Sequence, residues 1–209
     1  MSPCFFGPKA TPDSGKLHVV ASFYPLYEFS SEVAGLYADV TNIMGNGVEP
    51  HDFEPSPKDI VEIYSADVFI YNGASIDSWA SDLTSELQKK GVTVVDMSKH
   101  MQLLPASESR DTDNSTTIFE PHFWTDPVNV KQEVEVIRDT LVAKDPSHAN
   151  EYKSQSARYE QQLSDLNNEY VSGLSHCALR TIIVSHDAFA YPAKRYNLNA
   201  LAIAGLTPD

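Results

Sequence analysis

Residues 16–24, KLHVVASFY, decide the fold class of this chain. Their compact apolar run is typical of a strand buried within a sheet, and Pro25 then opens a helical stretch that extends to about Gly35. A buried strand that leads directly into a helix is the beginning of a β-α-β unit. If the alternation continues, it predicts a parallel sheet covered by helices.

The alternation does continue to residue 96. Further elements are predicted at residues 39–44 (strand), 57–65 (helix), 67–71 (strand), 76–90 (helix) and 92–96 (strand). The order β-α-β-α-β-α-β therefore predicts an α/β fold with a parallel sheet.

Two Asp-Pro pairs mark helix starts in the second half, after a polar, acidic loop at 104–118. Asp126-Pro127 precedes an apolar stripe at helical spacing, formed by Val130, Val134, Ile137 and Leu141. Asp145-Pro146 opens a segment without a breaker before Gly173. About 28 residues at about 1.5 Å each give a rod of about 40 Å, long enough to connect two lobes. A dimeric coiled coil is the alternative, for which so few heptads are marginal.

The remaining residues predict the beginning of a second α/β unit. Strands are predicted at 180–185 and 199–203, with a helix at 189–196 between them, and a doubly wound lobe would need several strands more. We expect two Rossmann-like lobes joined by one long rigid helix, with the second lobe incomplete. The predicted domains are a flexible leader (1–15), an N-terminal lobe (16–145), a linker helix (146–175) and the start of a C-terminal lobe (176–209).

Composition excludes several classes of function. The 209 residues are 42% apolar and 21% charged, as in a globular protein, and carry a formal charge of −14 that argues against nucleic-acid binding. The two cysteines form no CxxC pair, so a thiolate zinc site is not indicated, and a disulfide between Cys4 and Cys177 is not expected. The first eight residues lack the features of a signal peptide. Either such a segment was removed or Cys4 marks a lipid-anchoring cysteine.

Three of the seven histidines share a sequence context. His51, His122 and His186 each lie where the chain leaves a predicted strand or enters a helix, which is where open α/β sheets bind ligands. Zinc binds neutral imidazole nitrogens, and the prolines around these positions stiffen the backbone that holds them. Acidic neighbours are predicted to orient the second ring nitrogens: Glu49, Asp52, Asp126 and Asp187.

A single histidine is more often a surface or capping residue than a metal ligand. The three positions form no local motif such as HExxH, so chemistry alone leaves a shared metal site open. The other histidines are assigned to such ordinary roles: His18, His100, His148 and His176.

Four motifs resemble the zinc/manganese solute-binding proteins of ABC importers, a group that includes streptococcal surface lipoproteins once called adhesins. They are DSGKLHVVASFYPL (13–26), GVEPHDFEPSPKD (47–59), PHFWTDP (121–127) and VSHDAFAY (184–191). The resemblance implies two α/β lobes joined by a rigid helix, with the metal ion between them. It places metal ligands at His51, His122 and His186 and a fourth, acidic ligand beyond Asp209.

The resemblance favours zinc over manganese. Manganese-type members usually carry Glu at the position of His186, and imidazole suits zinc whereas carboxylates suit manganese. Zinc-type members often have a His-rich loop before the second ligand, and residues 104–118 contain no histidine, so manganese stays the alternative.

We expect a non-catalytic monomer outside the cytoplasm, in the periplasm or on the outer face of the membrane. Its predicted partners are a divalent metal ion and the permease of an ABC transporter, and no nucleic acid. The alternatives are a manganese importer component, a surface adhesin and a zinc hydrolase. The hydrolase would need a general base, for which Glu49 or Glu120 is available.

Overall fold

The computed structural model describes residues 15–45, 47–106 and 119–204, and its first half is built on a four-stranded sheet. The strands are β1 (Leu17–Ala21), β2 (Ala38–Asn42), β3 (Val68–Tyr71) and β4 (Thr93–Asp96). They lie in the order β2-β1-β3-β4, and every pairing is parallel. The predicted parallel α/β arrangement is confirmed, and all four carboxyl ends lie at the same edge of the sheet.

Helices connect these strands, as predicted. They are α1 (Tyr24–Ala34), α2 (Pro57–Tyr64) and α3 (Ser78–Lys89). The start of α2 shows how local sequence sets a boundary. Ser56 Oγ accepts from the backbone N–H of Asp59 at 3.4 Å, and the Asp59 carboxylate accepts from the N–H of Ser56 at 2.8 Å. This capping box satisfies two N–H groups that the first helical turn leaves without partners.

Two longer helices follow, α4 (Pro127–Lys144) and α5 (Ala149–Leu174). Asp126 caps α4 as predicted, because its Oδ1 accepts from Val128 N at 3.0 Å. The predicted stripe of α4 is buried in the core against α1 and α5. The 26 residues of α5 span about 39 Å, close to the predicted rod.

The start of α5 differs from the prediction. A 3-10 turn occupies Pro146–His148, so the α-helix begins three residues after Pro146. Asp145 does not cap this helix, because its carboxylate accepts instead from His148 Nδ1 at 2.6 Å and from the Tyr152 hydroxyl at 2.9 Å. Tyr152 is fully buried, so these contacts fix Asp145 in a non-capping geometry.

Beyond α5, β5 (Thr181–Val184) and β6 (Asn199–Ala202) form a separate two-stranded parallel sheet, with α6 (Ala190–Arg195) between them. Cys177 is exposed, while Cys4, most of the predicted leader and residues 107–118 lie outside the described residues. The division into domains stays a prediction. None of the helices described has the length and apolarity that a membrane span requires.

Helix α4 buries one carboxyl group in its core-facing side. Glu133 has no exposed surface, and neither of its oxygens has a hydrogen-bond partner among the described residues. Burial raises the pKa of Glu133 well above its ordinary value of 4.5, since an ionised carboxylate is strongly disfavoured without water or a partner. Glu133 therefore stays protonated to a higher pH than an exposed glutamate does.

Replacing this carboxyl group with an apolar side chain should stabilise the protein in a pH-dependent way. As the pH rises past 4.5, the unfolded chain releases a proton from this glutamate that the folded protein retains. The free energy of unfolding therefore decreases with pH until the pH reaches the pKa of Glu133 in the folded protein. Glu133→Met should raise the free energy of unfolding by about 1–3 kcal/mol at pH 7 and by less at pH 4. Urea denaturation at both pH values measures this. Exposed Glu135→Met is the matched control, and an equal change at the two pH values would contradict the account.

Candidate metal centre

His51 lies on a short turn that follows β2. The 3-10 turn Pro50–Asp52 begins with a proline, whose fixed φ angle suits its first position, and Glu49 Oε1 accepts from His51 N at 3.4 Å. The imidazole is half-buried. The backbone on both sides of the ring is therefore restrained before any ligand binds.

His122 is held at the carboxyl edge of the main sheet. Its side chain is 4% exposed, and Trp124 packs with ring centres 5.1 Å from His122 and 4.8 Å from Phe23, which follows β1. Asn72, which follows β3, donates from Nδ2 to the carbonyl oxygen of Pro121 at 3.2 Å. The ends of two neighbouring strands thus fix the segment that carries this histidine.

A buried carboxylate fixes the turn that begins at Asn72. The side chain of Asp77 accepts from the N–H groups of Asn72 at 2.7 Å and Gly73 at 2.8 Å and from Ser22 Oγ at 2.6 Å. Burial raises the pKa of Asp77, while these donors favour the ionised form. Gly73 has a φ of 74°, and a Cβ there would collide with the side chains of Asp96 and Ser98, so only glycine fits.

Glu120 sets the tautomer of His122. One carboxylate oxygen, Oε1, accepts from the backbone N of His122 at 2.9 Å and from its ring Nδ1 at 2.5 Å. With a proton on Nδ1, the lone pair of the ring lies on Nε2. Glu120 is itself buried, with 1% exposure. A carboxylate that holds the second nitrogen of an imidazole is the usual outer partner of a metal-binding histidine.

The Nε2 atoms of His51 and His122 lie 3.2 Å apart. A tetrahedral zinc ion with Zn–N bonds of about 2.0–2.1 Å separates two donor nitrogens by about 3.3 Å. Since Nε2 of His122 carries the lone pair, His51 donates a proton from Nε2 across this gap in the metal-free protein. The two nitrogens therefore lie at the separation that a shared tetrahedral zinc ion would require.

His186 lies beside this pair, on the bend that follows β5. Its ring centre is 5.4 Å from that of His122, and the His51 and His122 centres are 5.3 Å apart. Because an imidazole centre lies about 3 Å from a bound zinc ion, two rings on one tetrahedral ion have centres about 5 Å apart. The structure thus brings the three predicted histidines together, and their assignment as ligands stays a prediction. In the part of the chain described, no group of three or more His, Cys, Asp or Glu side chains is arranged so that it could hold a metal ion.

The electrostatic surroundings keep His51 neutral. Burial lowers its pKa below the ordinary 6.5, and the neighbouring His122 lowers it further, whereas the charge of Glu49 opposes the shift. A neutral imidazole is the form that binds a metal ion.

The four acids predicted as outer partners have different surroundings. Glu49 contacts the backbone of His51, Asp52 is exposed, and Asp187 is half-exposed beside His186. Asp126 is 2% exposed, caps α4 and pairs with Arg195 Nε at 2.6 Å and 2.5 Å. A role for these acids in orienting imidazoles stays a prediction.

The sequence reasoning missed Glu120 as an outer partner and considered it only as a general base. The available signal was a repeated tripeptide, Glu49-Pro50-His51 and Glu120-Pro121-His122. In both copies the glutamate accepts from the backbone N–H of the histidine, and only in the second does it also reach the ring.

The other four histidines have separate contacts. His18 Nε2 lies 3.2 Å from Glu62 Oε1, and His148 is bound to Asp145, while His100 and His176 are exposed at the ends of a 3-10 turn and of α5. These positions agree with the ordinary structural roles assigned to them.

Comparison with known proteins identifies relatives along nearly the whole chain. Residues 19–209 match the family model described as "Zinc-uptake complex component A periplasmic". The zinc-binding lipoprotein AdcA of Streptococcus pneumoniae (strain R6) is 38% identical over 201 residues, which cover 93% of this chain and 40% of AdcA. The high-affinity zinc uptake system protein ZnuA of Bacillus subtilis is 35% identical over 209 residues, covering 96% and 66% of the two chains. The chain thus spans about two fifths of the length of the streptococcal AdcA proteins that it matches.

Solved structures of similar fold include proteins of the same family. Zn(II)-bound AdcA from Streptococcus pneumoniae has a TM-score of 0.83 at 38% identity, over 93% of this chain and 41% of that one. The laminin-binding protein Lmb of Streptococcus agalactiae, described as bifunctional with adhesin and metal transporting activity, has a TM-score of 0.83 at 35% identity, over 92% and 70%. The resemblance predicted from the four sequence motifs is confirmed.

Neutralising Glu120 should weaken zinc binding without removing a ligand. Glu120→Gln keeps the size of the side chain but loses the charge that holds the Nδ1 proton of His122, so we expect about 10- to 100-fold weaker zinc affinity. Competition with a chromophoric chelator measures this. Exposed Glu54→Gln, in the loop after His51, should bind as the parent does. Equal affinities for the parent and both variants would show that Glu120 has no part in binding.

Proposed function

The chain belongs to the family of periplasmic zinc-uptake component A proteins, and from that premise we propose that it captures zinc outside the cytoplasm and delivers it to the permease of an ABC importer. The ligands in this proposal are His51, His122 and His186. The metal ion is the cargo of the protein, which binds and releases it without changing it chemically.

The observation that carries the proposal is the 3.2 Å separation of the two Nε2 atoms. It matches the edge of a zinc tetrahedron, and the Glu120 contact directs the lone pair of His122 toward the same point. Three imidazoles are a nitrogen donor set, which suits zinc, whereas a manganese site would be richer in carboxylate oxygens. The donor chemistry therefore favours zinc cargo over the manganese alternative.

Transport accounts for the site better than hydrolysis. A zinc hydrolase needs a general base free to take a proton from bound water. Glu120 Oε1 is bound to His122 and Glu120 Oε2 is buried away from solvent, while Glu49 contacts the backbone of His51. The relatives are named as zinc-binding or zinc-uptake proteins, which supports a non-catalytic role.

The remaining parts of the proposal concern location and partners. Relatives described as lipoproteins support a place outside the cytoplasm, and the charge of −14 supports cation capture and opposes nucleic-acid binding. We propose a monomer that has the metal ion and the permease as its partners. The likeness to Lmb makes surface adhesion a second candidate, compatible with transport.

Zinc titration by calorimetry tests the proposal. The parent should bind close to one zinc ion per chain, because the rings of His51 and His186 both lie next to that of His122, with ring centres 5.3 Å and 5.4 Å from it. His51→Ala or His122→Ala should weaken binding by more than the roughly 100-fold that loss of an outer partner can cause. Exposed His176→Ala is the matched control and should bind as the parent does. Parent-like binding by both site variants would refute the assignment.

The pKa of His51 predicts the pH range over which zinc must compete with protons. Because burial lowers this pKa below 6.5, His51 is neutral at pH 7, and its protonation should weaken zinc binding only as the pH falls below 6.5. The ring signals of metal-free protein, followed by NMR between pH 4 and 8, measure the midpoint. His51→Gln identifies the signal by its loss. A midpoint at or above 6.5 would contradict the predicted environment.

A further inference from the structure

Helix α6 contacts the segment that carries His122. We propose that Arg195, at the end of α6, is a positioning residue for the metal centre, and that its ion pair with Asp126 holds the His186 segment against the His122 segment. This inference rests on the proposed function, since it concerns the geometry of the same three imidazoles.

The ion pair joins two parts of the chain that each lead to a histidine. Arg195 Nε lies 2.6 Å from Asp126 Oδ1 and 2.5 Å from Oδ2. Asp126 follows His122 by four residues and is 2% exposed, while Arg195 follows His186 by nine. Because Asp126 also caps α4 through Val128 N, its carboxylate is fixed to the first half of the protein.

Neutral contacts link the same two segments nearer to the histidines. Thr125 Oγ1 lies 2.7 Å from the carbonyl oxygen of His122 and 3.3 Å from that of Ala188. Ala188 N donates to the carbonyl oxygen of His186 at 2.9 Å. A short path of backbone and hydroxyl groups therefore connects the two histidines.

Tyr191 extends this interface on the face of α6. Its hydroxyl donates to the carbonyl oxygen of Glu120 at 2.8 Å and accepts from Leu104 N at 3.1 Å, and the residue is 5% exposed. Tyr191 thus binds the residue that sets the tautomer of His122. The α6 segment reaches both ends of the 120–126 segment, through Tyr191 at Glu120 and Arg195 at Asp126.

Among these contacts, the ion pair should have the greatest effect on the position of α6. A hydrogen bond between ionised groups is stronger than a neutral one, and a buried carboxylate that loses its cation is left uncompensated. Without the Arg195 side chain, α6 keeps only neutral contacts to the 120–126 segment. His186 should then be held less firmly at its 5.4 Å ring distance from His122, while the His51–His122 pair stays in place.

A double-mutant cycle between Arg195 and His186 tests the inference in the full 209-residue chain. Arg195→Met should weaken zinc affinity about tenfold in the parent, as loss of a supporting contact does. In a His186→Ala background the same substitution should weaken it less than about twofold, because the residue that it positions is gone. Zinc affinity is measured by competition with a chromophoric chelator. The visible d–d absorption of bound cobalt(II) reports the coordination geometry, and Arg195→Met should change it.

Three further variants make the result specific. Arg195→Lys should retain most of the affinity, because the contacting atom is Nε and a lysine ammonium group reaches the same carboxylate. Arg158→Met, on α5, removes an exposed arginine that pairs with Glu32 at 3.4 Å and should bind as the parent does. Asp126→Asn keeps the capping oxygen for Val128 and replaces Arg195→Met in the cycle if the latter fails to fold.

The outcomes separate the two proposals. If the parent shows no zinc binding that depends on His51 and His122, the proposed function fails. If it does bind in that way, three results overturn the positioning role of Arg195. They are parent-like affinity of Arg195→Met, an equal loss with and without His186, and parent-like affinity of His186→Ala.

Discussion

The polarity of the parallel sheet is the constraint on which the candidate metal centre depends. Because β1 to β4 run in one direction, their carboxyl ends share an edge, and the residues that follow them meet there. Phe23 after β1 and Asn72 after β3 hold the segment around His122, and the chain after β2 supplies His51. Histidines separated by 71 residues in the sequence therefore come within 3.2 Å of each other.

The fold could be predicted from the sequence wherever a local signal also determines the local structure. Apolar runs located the strands, and Asp126 with Pro127 located the start of α4, because a capping carboxylate needs only the N–H groups beside it. The same signal at Asp145 placed the start of α5 three residues too early. There the carboxylate accepts from His148 and from buried Tyr152, and burial of a side chain cannot be read from the sequence around it.

The candidate site likewise has features that the local sequence predicts and features that it does not. Strand ends and helix starts pointed to His51, His122 and His186, since backbone direction follows from strand order. Strand ends and helix starts do not reveal which carboxylates contact the histidines or pair with arginine. Glu120 reaches the His122 ring only because both are buried at the sheet edge, and Asp126 pairs with a residue 69 positions away. Burial and a distant arginine, neither of which can be read from the neighbouring sequence, thus decide how these two carboxylates are used.

The three ligands proposed among the described residues are imidazoles, and Cys177, which is exposed near the end of α5, is not one of them. Thiolate ligands are lost when an oxidant converts them to disulfides or sulfenic acids, whereas imidazole nitrogens have no such chemistry. Under the proposed function, zinc binding by these histidines would therefore be insensitive to the redox potential of the surroundings. At a given zinc concentration, the pH of the medium and not its redox potential would then set how fully such a site is loaded.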